Sequence, residues 1–155
     1  MENIIIIKEE LECDTSTAFK MFTNNKSLES WLTEEADIEP KLGGKYELFW
    51  DPNNKKSNST IGCKITGIEK NKFISFDWKG PVEFESFMNC ADPLTHVIVF
   101  FSQNESDSNI SNIFLFHTGW RDNSEWQKAR IYFDKAWLKA LENLKEKIIN
   151  KTLGI

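Results

Sequence analysis

Side chains able to do acid–base, nucleophilic or metal chemistry are few in this chain. It holds two histidines, His96 and His117, and three cysteines, Cys13, Cys63 and Cys90. The cysteines are odd in number and unrelated in spacing, so they read as free thiols of a reducing compartment. There is no phosphate-cradling glycine loop, no Cys-x-x-Cys pair and no His-Glu-x-x-His. The two histidines fall in strand phases that point to opposite faces of a sheet, so neither a joint metal site nor a cofactor is expected. His117 is either a pocket acid–base or a hydrogen-bonded core residue. Glu9 sits in the inward phase of the first strand, either as a buried pocket carboxylate or exposed at a strand edge. Arg130 on the last helix either holds an anionic ligand head or is solvated. Lacking partners at any recognisable spacing, none of these groups is expected to be an essential catalyst.

The elements that must position these groups belong to a chain of 155 residues, long enough for one domain with a real core over residues 1–155. Apolar residues make up 40% and charged residues 28%, which rules out wholesale disorder. The net charge is −5 and only two of the nineteen basic residues are arginine, which argues against a nucleic-acid partner. The run Ile4 to Ile7 is too short for a signal peptide and follows Glu2 rather than a basic stretch. No stretch is long enough to span a bilayer, and a cytoplasmic location is expected. Six Trp and twelve Phe give either a roomy, aromatic-lined interior or a plain packed core.

Residues 3–12 alternate as a strand, with Ile5, Ile7 and Leu11 inward. Asp14 can cap a short helix carrying Ala18, Phe19 and Phe22, and Asn25 or Ser27 a second one carrying Leu28, Trp31 and Leu32. Gly43 or Gly44 can supply a positive φ before a strand in which Tyr46, Leu48 and Trp50 share a face. Residues 51–60 form a polar loop. Residues 61–68 and 73–79 make a hairpin about Lys70-Asn71, pairing Ile65 with Phe76 and Cys63 with Trp78 inside, and Lys64 with Asp77 as an ion pair outside. The connection from Gly80-Pro81 to Asp92-Pro93 holds either a helical turn or a short edge segment over 82–89. Residues 94–102 and 110–118 form a second hairpin. A symmetric register sets Thr95, Val97 and Val99 opposite His117, Leu115 and Ile113. Its other face, with Ile98, Phe100, Phe114 and Phe116, is also apolar, so it is covered too or forms a contact surface.

Ser124 and Gln127 have the form of a capping box at the head of a helix over 124–150. Trp126, Ala129, Phe133, Ala136, Trp137, Ala140, Leu141, Leu144 and Ile148 recur at three- and four-residue steps, with Lys128, Lys135, Lys139, Glu142, Glu146 and Lys147 opposite. Such a helix is about 40 Å long and spans the whole body, so the sheet covering its stripe must curve along it. The fold is α+β: a curved antiparallel β-sheet wrapped around a long C-terminal α-helix, with two short helices after the first strand.

Several runs together carry a family resemblance: Leu42-Gly43-Gly44-Lys45-Tyr46, Gly62, Ile65-Thr66-Gly67-Ile68-Glu69, Phe76-Asp77-Trp78 and His117-Thr118-Gly119-Trp120. Trp126, Phe133, Trp137, Leu141, Leu144 and Lys145 follow in order. The chain resembles the activator-of-heat-shock-chaperone-ATPase-like family of the SRPBCC superfamily (StAR-related lipid-transfer, birch-pollen-allergen-like). The resemblance implies a helix-grip fold with a cavity between sheet and long helix, used across the superfamily for apolar ligands. The segment Pro81 to Pro93 is longer than the common pattern. The second domain with which eukaryotic activators grip the ninety-kilodalton heat-shock chaperone is expected to be absent.

The function expected is therefore binding of a small apolar or amphipathic molecule, without catalysis. The cavity lining would be Tyr46, Leu48, Trp50, Ile65, Phe76, Trp78, Val97, Val99, Ile113, Leu115 and His117 from the strands, and Trp126, Phe133 and Trp137 from the helix. Glu9, His117 and Arg130 would be its polar anchors. Two alternatives stand beside this: a cyclase- or hydrolase-type enzyme using the same cavity, and a chaperone-interaction module. Periodicity does not separate a filled core from a hollow one.

Overall fold

The computed structural model describes residues 3–152, and the side chains of residues 3–150. Strand β1 (Ile5–Leu11) follows the expected alternation, with Ile5, Ile7 and Leu11 buried. Asp14 caps α1 (Thr15–Thr23), its carboxylate accepting the Thr17 N–H at 2.8 Å. Helix α2 (Asn25–Trp31) is capped by Asn24 rather than by Asn25 or Ser27. Asn24 Oδ1 accepts the Ser27 N–H at 3.0 Å, which frees Asn25 Oδ1 to accept the Ile38 N–H at 2.8 Å and dock the next strand. Strands β2 (Glu35–Ile38) and β3 (Tyr46–Phe49) then form a two-stranded antiparallel sheet. Gly43, at φ +78°, makes the turn between them and donates its N–H to Ile65 O at 2.9 Å.

The main sheet has the order β1-β7-β6-β5-β4 and is antiparallel throughout. Strands β4 (Ile65–Glu69) and β5 (Phe73–Trp78) turn on Asn71, whose φ of 63° is the left-handed conformation the turn needs. Ile65 faces Phe76 as expected, Cys63 and Trp78 are buried, and Lys64 is exposed. Two details differ. The register shifts between Ile65 and Gly67, so Thr66 bulges and its hydroxyl meets Ser75 Oγ at 2.8 Å and His96 Nε2 at 2.6 Å. Lys64 and Asp77 are joined by a backbone bond of 3.1 Å, and no ion pair between them occurs among the described residues.

The 82–89 segment resolves into a helical turn, α3 (Glu85–Met88). Gly80 lets α3 pack close, since a Cβ there would lie 2.6 Å from Met88 Sδ. The hairpin of β6 (Thr95–Gln103) and β7 (Ser111–Thr118) is offset by two residues from the symmetric register. Val97 faces His117, Val99 faces Leu115 and Phe101 faces Ile113. A shift of two keeps every side chain on its own face. It is favoured because it matches two buried apolar residues, Phe101 and Ile113, and leaves polar Gln103 to face Ser111. Phe101 then packs edge-on against Phe19 and Phe22 of α1, with centroids 5.6 and 5.5 Å away. The outer face stays uncovered among the described residues: Ile98, Phe114 and Phe116 are half-buried and Phe100 is exposed.

Helix α4 (Ser124–Thr152) runs 29 residues, about 44 Å at the usual rise. Its cap is Asn123 rather than Ser124: Asn123 Oδ1 accepts the Trp126 N–H at 3.0 Å. Gln127 therefore does not close a capping box. Its amide donates to Arg121 O at 2.8 Å and accepts from Arg130 Nε at 2.9 Å. Trp126, Ala129, Phe133, Trp137, Leu141, Leu144 and Ile148 are buried, and the sheet curves around this stripe in a helix grip. No helix of the described residues is long and apolar enough to cross a membrane.

Candidate functional site

The centre of the grip is solid. Tyr46 stacks on Phe76 with ring centroids 3.7 Å apart and an interplanar angle of 8°, and its hydroxyl donates to Phe22 O at 2.7 Å. Burial pushes the Tyr46 phenol well above its ordinary pKa, so it stays a neutral donor. Leu48, Ile65, Val97, Val99, Ile113 and Leu115 close around this pair and are fully buried. None of these residues is among those lining the clefts described below.

His117 lies in the same interior, on the inner face of β7. Its Nδ1 receives the indole N–H of Trp137 at 3.0 Å. An indole nitrogen only donates, so Nδ1 carries no proton, and the neutral ring bears its proton on Nε2. Nε2 then donates to Thr95 Oγ1 at 3.1 Å, and that hydroxyl turns toward Trp78 O at 3.5 Å. Burial lowers the His117 pKa to about 3, so the ring is neutral at physiological pH. Both ring nitrogens are engaged within the protein, and the histidine ties α4 to the sheet. His96, on the opposite face, bonds Thr66; its pKa is lowered by partial burial.

An opening exists instead on one flank of α4. A cleft of about 410 Å³ lies between the helix, the end of α2 and the segments around residues 50–59 and 78–81. Its origin is local. Ala136 and Ala140, one turn apart on α4, present methyl groups beside the rings of Phe133 and Trp137. Trp31 and Leu32 from α2 stand across the recess, and Trp50, Trp78, Phe133 and Trp137 complete its walls. Trp78 is the hub, with Trp50 edge-on at 6.0 Å, Trp137 tilted at 5.1 Å and Phe133 edge-on at 6.4 Å. Trp50 is 38% exposed, and its indole N–H donates to Leu32 O at 2.9 Å, which fixes the two walls together. A more polar groove of about 420 Å³ adjoins the cleft and shares Trp31, Leu32, Trp50 and Asn143 with it. Glu29, Glu34, Glu146 and Lys147 lie along that second groove.

Of the residues expected to line a cavity, Trp50, Trp78, Phe133 and Trp137 meet at this cleft. Trp126 does not: it packs on Phe87 at 5.1 Å under the Arg121 guanidinium. The expected polar anchors do not converge. Glu9 is half-buried at the rim of β1, paired with Lys145 at 3.0 Å. Arg130 bonds Gln127 and lies fifteen residues from Lys145 along α4, about 22 Å at the usual rise. Cys13, Cys63 and Cys90 are free; burial raises the Cys63 thiol to about 12 and that of Cys13 to about 11, so both stay protonated. No group of three or more metal-ligating side chains occurs among the described residues.

Sequence reasoning missed Trp31, Leu32, Tyr132, Ala136, Ala140 and Asn143 as lining residues. The available signal was the pair of alanines at a four-residue step, Ala136 and Ala140, set among Phe133, Trp137 and Leu141. What the pattern did not carry was the docking of α2 against α4, which supplies the far wall.

The chain matches the family model described as "Activator of Hsp90 ATPase homolog 1-like protein" over residues 12–148. A search of curated proteins finds no match. Among solved structures, a Mesorhizobium loti protein superposes with a TM-score of 0.74 at 14% identity, covering 97% of this chain and 98% of that one. The Aha1 dimer from Colwellia psychrerythraea superposes with a TM-score of 0.70 at 15% identity, over 95% and 96% of the two chains. An HSP90 activator from Plasmodium falciparum gives 0.66 at 20% identity, over 97% and 96%. At these identities the likeness is one of fold.

Proposed function

The chain belongs to the Activator of Hsp90 ATPase homolog 1-like family, and we propose that within this fold it binds a small apolar or amphipathic molecule in the cleft beside α4, without catalysing its conversion. One observation carries the reading: a recess of about 410 Å³ walled by indole and phenyl rings, with Ala136 and Ala140 of α4 among its lining. Apolar recesses of this size with a few polar groups are where small ligands bind. The adjoining polar groove suits the head of an amphipathic ligand.

Tryptophan emission tests this directly, because four of the lining residues are tryptophans. A screen of fatty acids, polyketide-like aromatics and sterols should find a compound that shifts or quenches emission saturably. Ala140→Phe should abolish that response by filling the recess. A screen that leaves emission untouched overturns the reading.

A second reading, contact with a chaperone, rests on the family and on the fold shared with the Plasmodium falciparum activator. The uncovered outer sheet face, with Ile6 and Phe100 exposed, is a surface such a contact would use. Stimulation of a purified ninety-kilodalton chaperone ATPase, lost on Phe100→Glu, would support it; no stimulation would remove it.

A further inference from the structure

The outer face of the main sheet carries a row of side chains with opposite charges at its two ends. The register sets Lys8, Phe114, Phe100, Phe73 and Glu69 side by side, one on each of β1, β7, β6, β5 and β4. Cross-strand neighbours share a face, and the contacts along the row agree. Lys8 Nζ lies 5.4 Å from the centroid of the Phe114 ring, and the Phe73 and Phe100 centroids are 6.0 Å apart. The next row holds Ile6, Phe116 and Ile98. Ile6 is 54% and Phe100 44% exposed, and the described residues leave this face uncovered. An apolar patch rimmed by charge is the mark of a protein contact.

The rim identifies the partner. On β1, Lys8 is followed one step along the face by Glu10. On β4, Glu69 is followed by the turn that carries Lys70 and Lys72. All five are exposed, and four antiparallel steps leave β1 and β4 running in the same direction. The order at one end is therefore positive then negative, and at the other end negative then positive. Lys8 has no ion pair among the described residues. Four strand spacings, about 19 Å, separate it from Glu69 of its own chain.

We infer that this face is where two copies of the chain pair, about a two-fold axis running along the middle strand β6. That rotation lays β1 of each copy over β4 of the other. Lys8 then meets Glu69 of the second copy, Glu10 meets its Lys70 and Lys72, and Phe100 meets its own counterpart at the axis. A two-fold axis across the strands would instead set Lys8 on Lys8 and Glu69 on Glu69. Self-complementarity of this kind is what a two-fold interface requires. The outer face of a sheet that curves round a helix is convex, so the copies touch first along β6, where Phe100 stands out. The edges are bridged by long side chains, which the rim supplies. Strand spacing and residue rise give a contact of about 400 Å² on each copy, half of a standard interface. Pairing is therefore reversible and grows with concentration. It is independent of the ligand cleft, which lies on the helix side of the sheet, and it takes the face that a chaperone contact would use.

Sedimentation velocity of the full chain over a concentration series tests this. The unsubstituted protein should pass from monomer to dimer as concentration rises, and less so in high salt. Lys8→Glu should weaken pairing about tenfold, because it sets like charges together at both ends of the interface. Lys8→Glu combined with Glu69→Lys should restore pairing to within about twofold, since the reversed ends again oppose each other. A protein that stays monomeric up to about 1 mM overturns the inference. So does a double variant that pairs no better than Lys8→Glu alone. A chaperone complex formed by a chain that never self-associates gives the face to that partner instead. Should either variant fail to fold, the nitrogen-15 amide resonances of the unsubstituted protein decide. On dilution those of Ile98, Phe100 and Phe114 should move while those of α4 stay fixed. Movement confined to other residues overturns the inference.

Discussion

The middle of the grip and its flank both draw on large aromatic side chains, yet one is closely packed and the other borders a recess. In the middle, Phe76 and Tyr46 lie face to face at 3.7 Å, and the strand residues around them are fully buried. At the flank, Trp50, Trp78 and Trp137 stand at angles of 78° and 45° to one another across two alanines. Parallel rings fill space, and tilted rings opposite methyl groups leave a recess. Aromatic content therefore does not locate an opening. The sizes of the residues that face the rings do.

The contrast breaks most readily at its centre. Phe76→Ala should cost about 3–5 kcal/mol in denaturant unfolding, the loss expected for a fully buried ring. A loss under about 1 kcal/mol would mean that the middle is not packed. The enlarging change Phe76→Trp should cost about 1–3 kcal/mol through overpacking and leave ligand affinity unchanged, because Phe76 does not line the cleft. An affinity that falls with it would join the two regions into one cavity.

The buried histidine gives a pH test. Its folded pKa, about 3, lies below the ordinary histidine value, so its stabilising effect is fully present above about pH 6.5. It is lost as pH falls from there toward 3, because only the unfolded chain takes up the proton. That proton contributes about 1.4 kcal/mol of lost stability per pH unit within the window. Unfolding of His117→Gln across the same range should show a slope shallower by one proton. Equal slopes would mean that the ring titrates normally. His96, also lowered, acts in the same direction in both proteins.

The smallest effect on stability belongs to the flank. Ala140→Phe should change the unfolding free energy by no more than about 0.5 kcal/mol, as for a partly exposed helix position, while removing ligand binding. A large loss of stability would show that the alanine is packed rather than bordering a recess.

Much of this fold was legible because its signals are periodic. The inward phase of β1, the Ile65–Phe76 pairing and the apolar stripe of α4 follow from spacing, while the expected positive φ at Gly43 or Gly44 falls on Gly43. Errors arose where two cap-forming residues stand side by side, as at Asn24-Asn25 and Asn123-Ser124, since either side chain can reach the same backbone N–H. The two-residue offset between β6 and β7 escaped because it changes no face, so alternation is blind to it. The candidate site was legible only in part. Trp50, Trp78, Phe133 and Trp137 were in view, but their far wall comes from α2, whose packing against α4 is long-range and leaves no periodic trace. Glu9, His117 and Arg130 share polarity without sharing a place.

The bonded path from Trp137 through His117 and Thr95 to the backbone of Trp78 crosses α4, β7, β6 and β5 in a single sequence of contacts. Its consequence concerns the order in which the molecule comes apart. The last turns of α4 lie beyond this path and can fray alone, so their amides should exchange with solvent through small local openings. The turns around Trp137 cannot lift away without leaving an indole and an imidazole unpaired inside the sheet. Those amides should exchange only when the whole body unfolds, which makes the helix two segments in kinetics although it is one in shape.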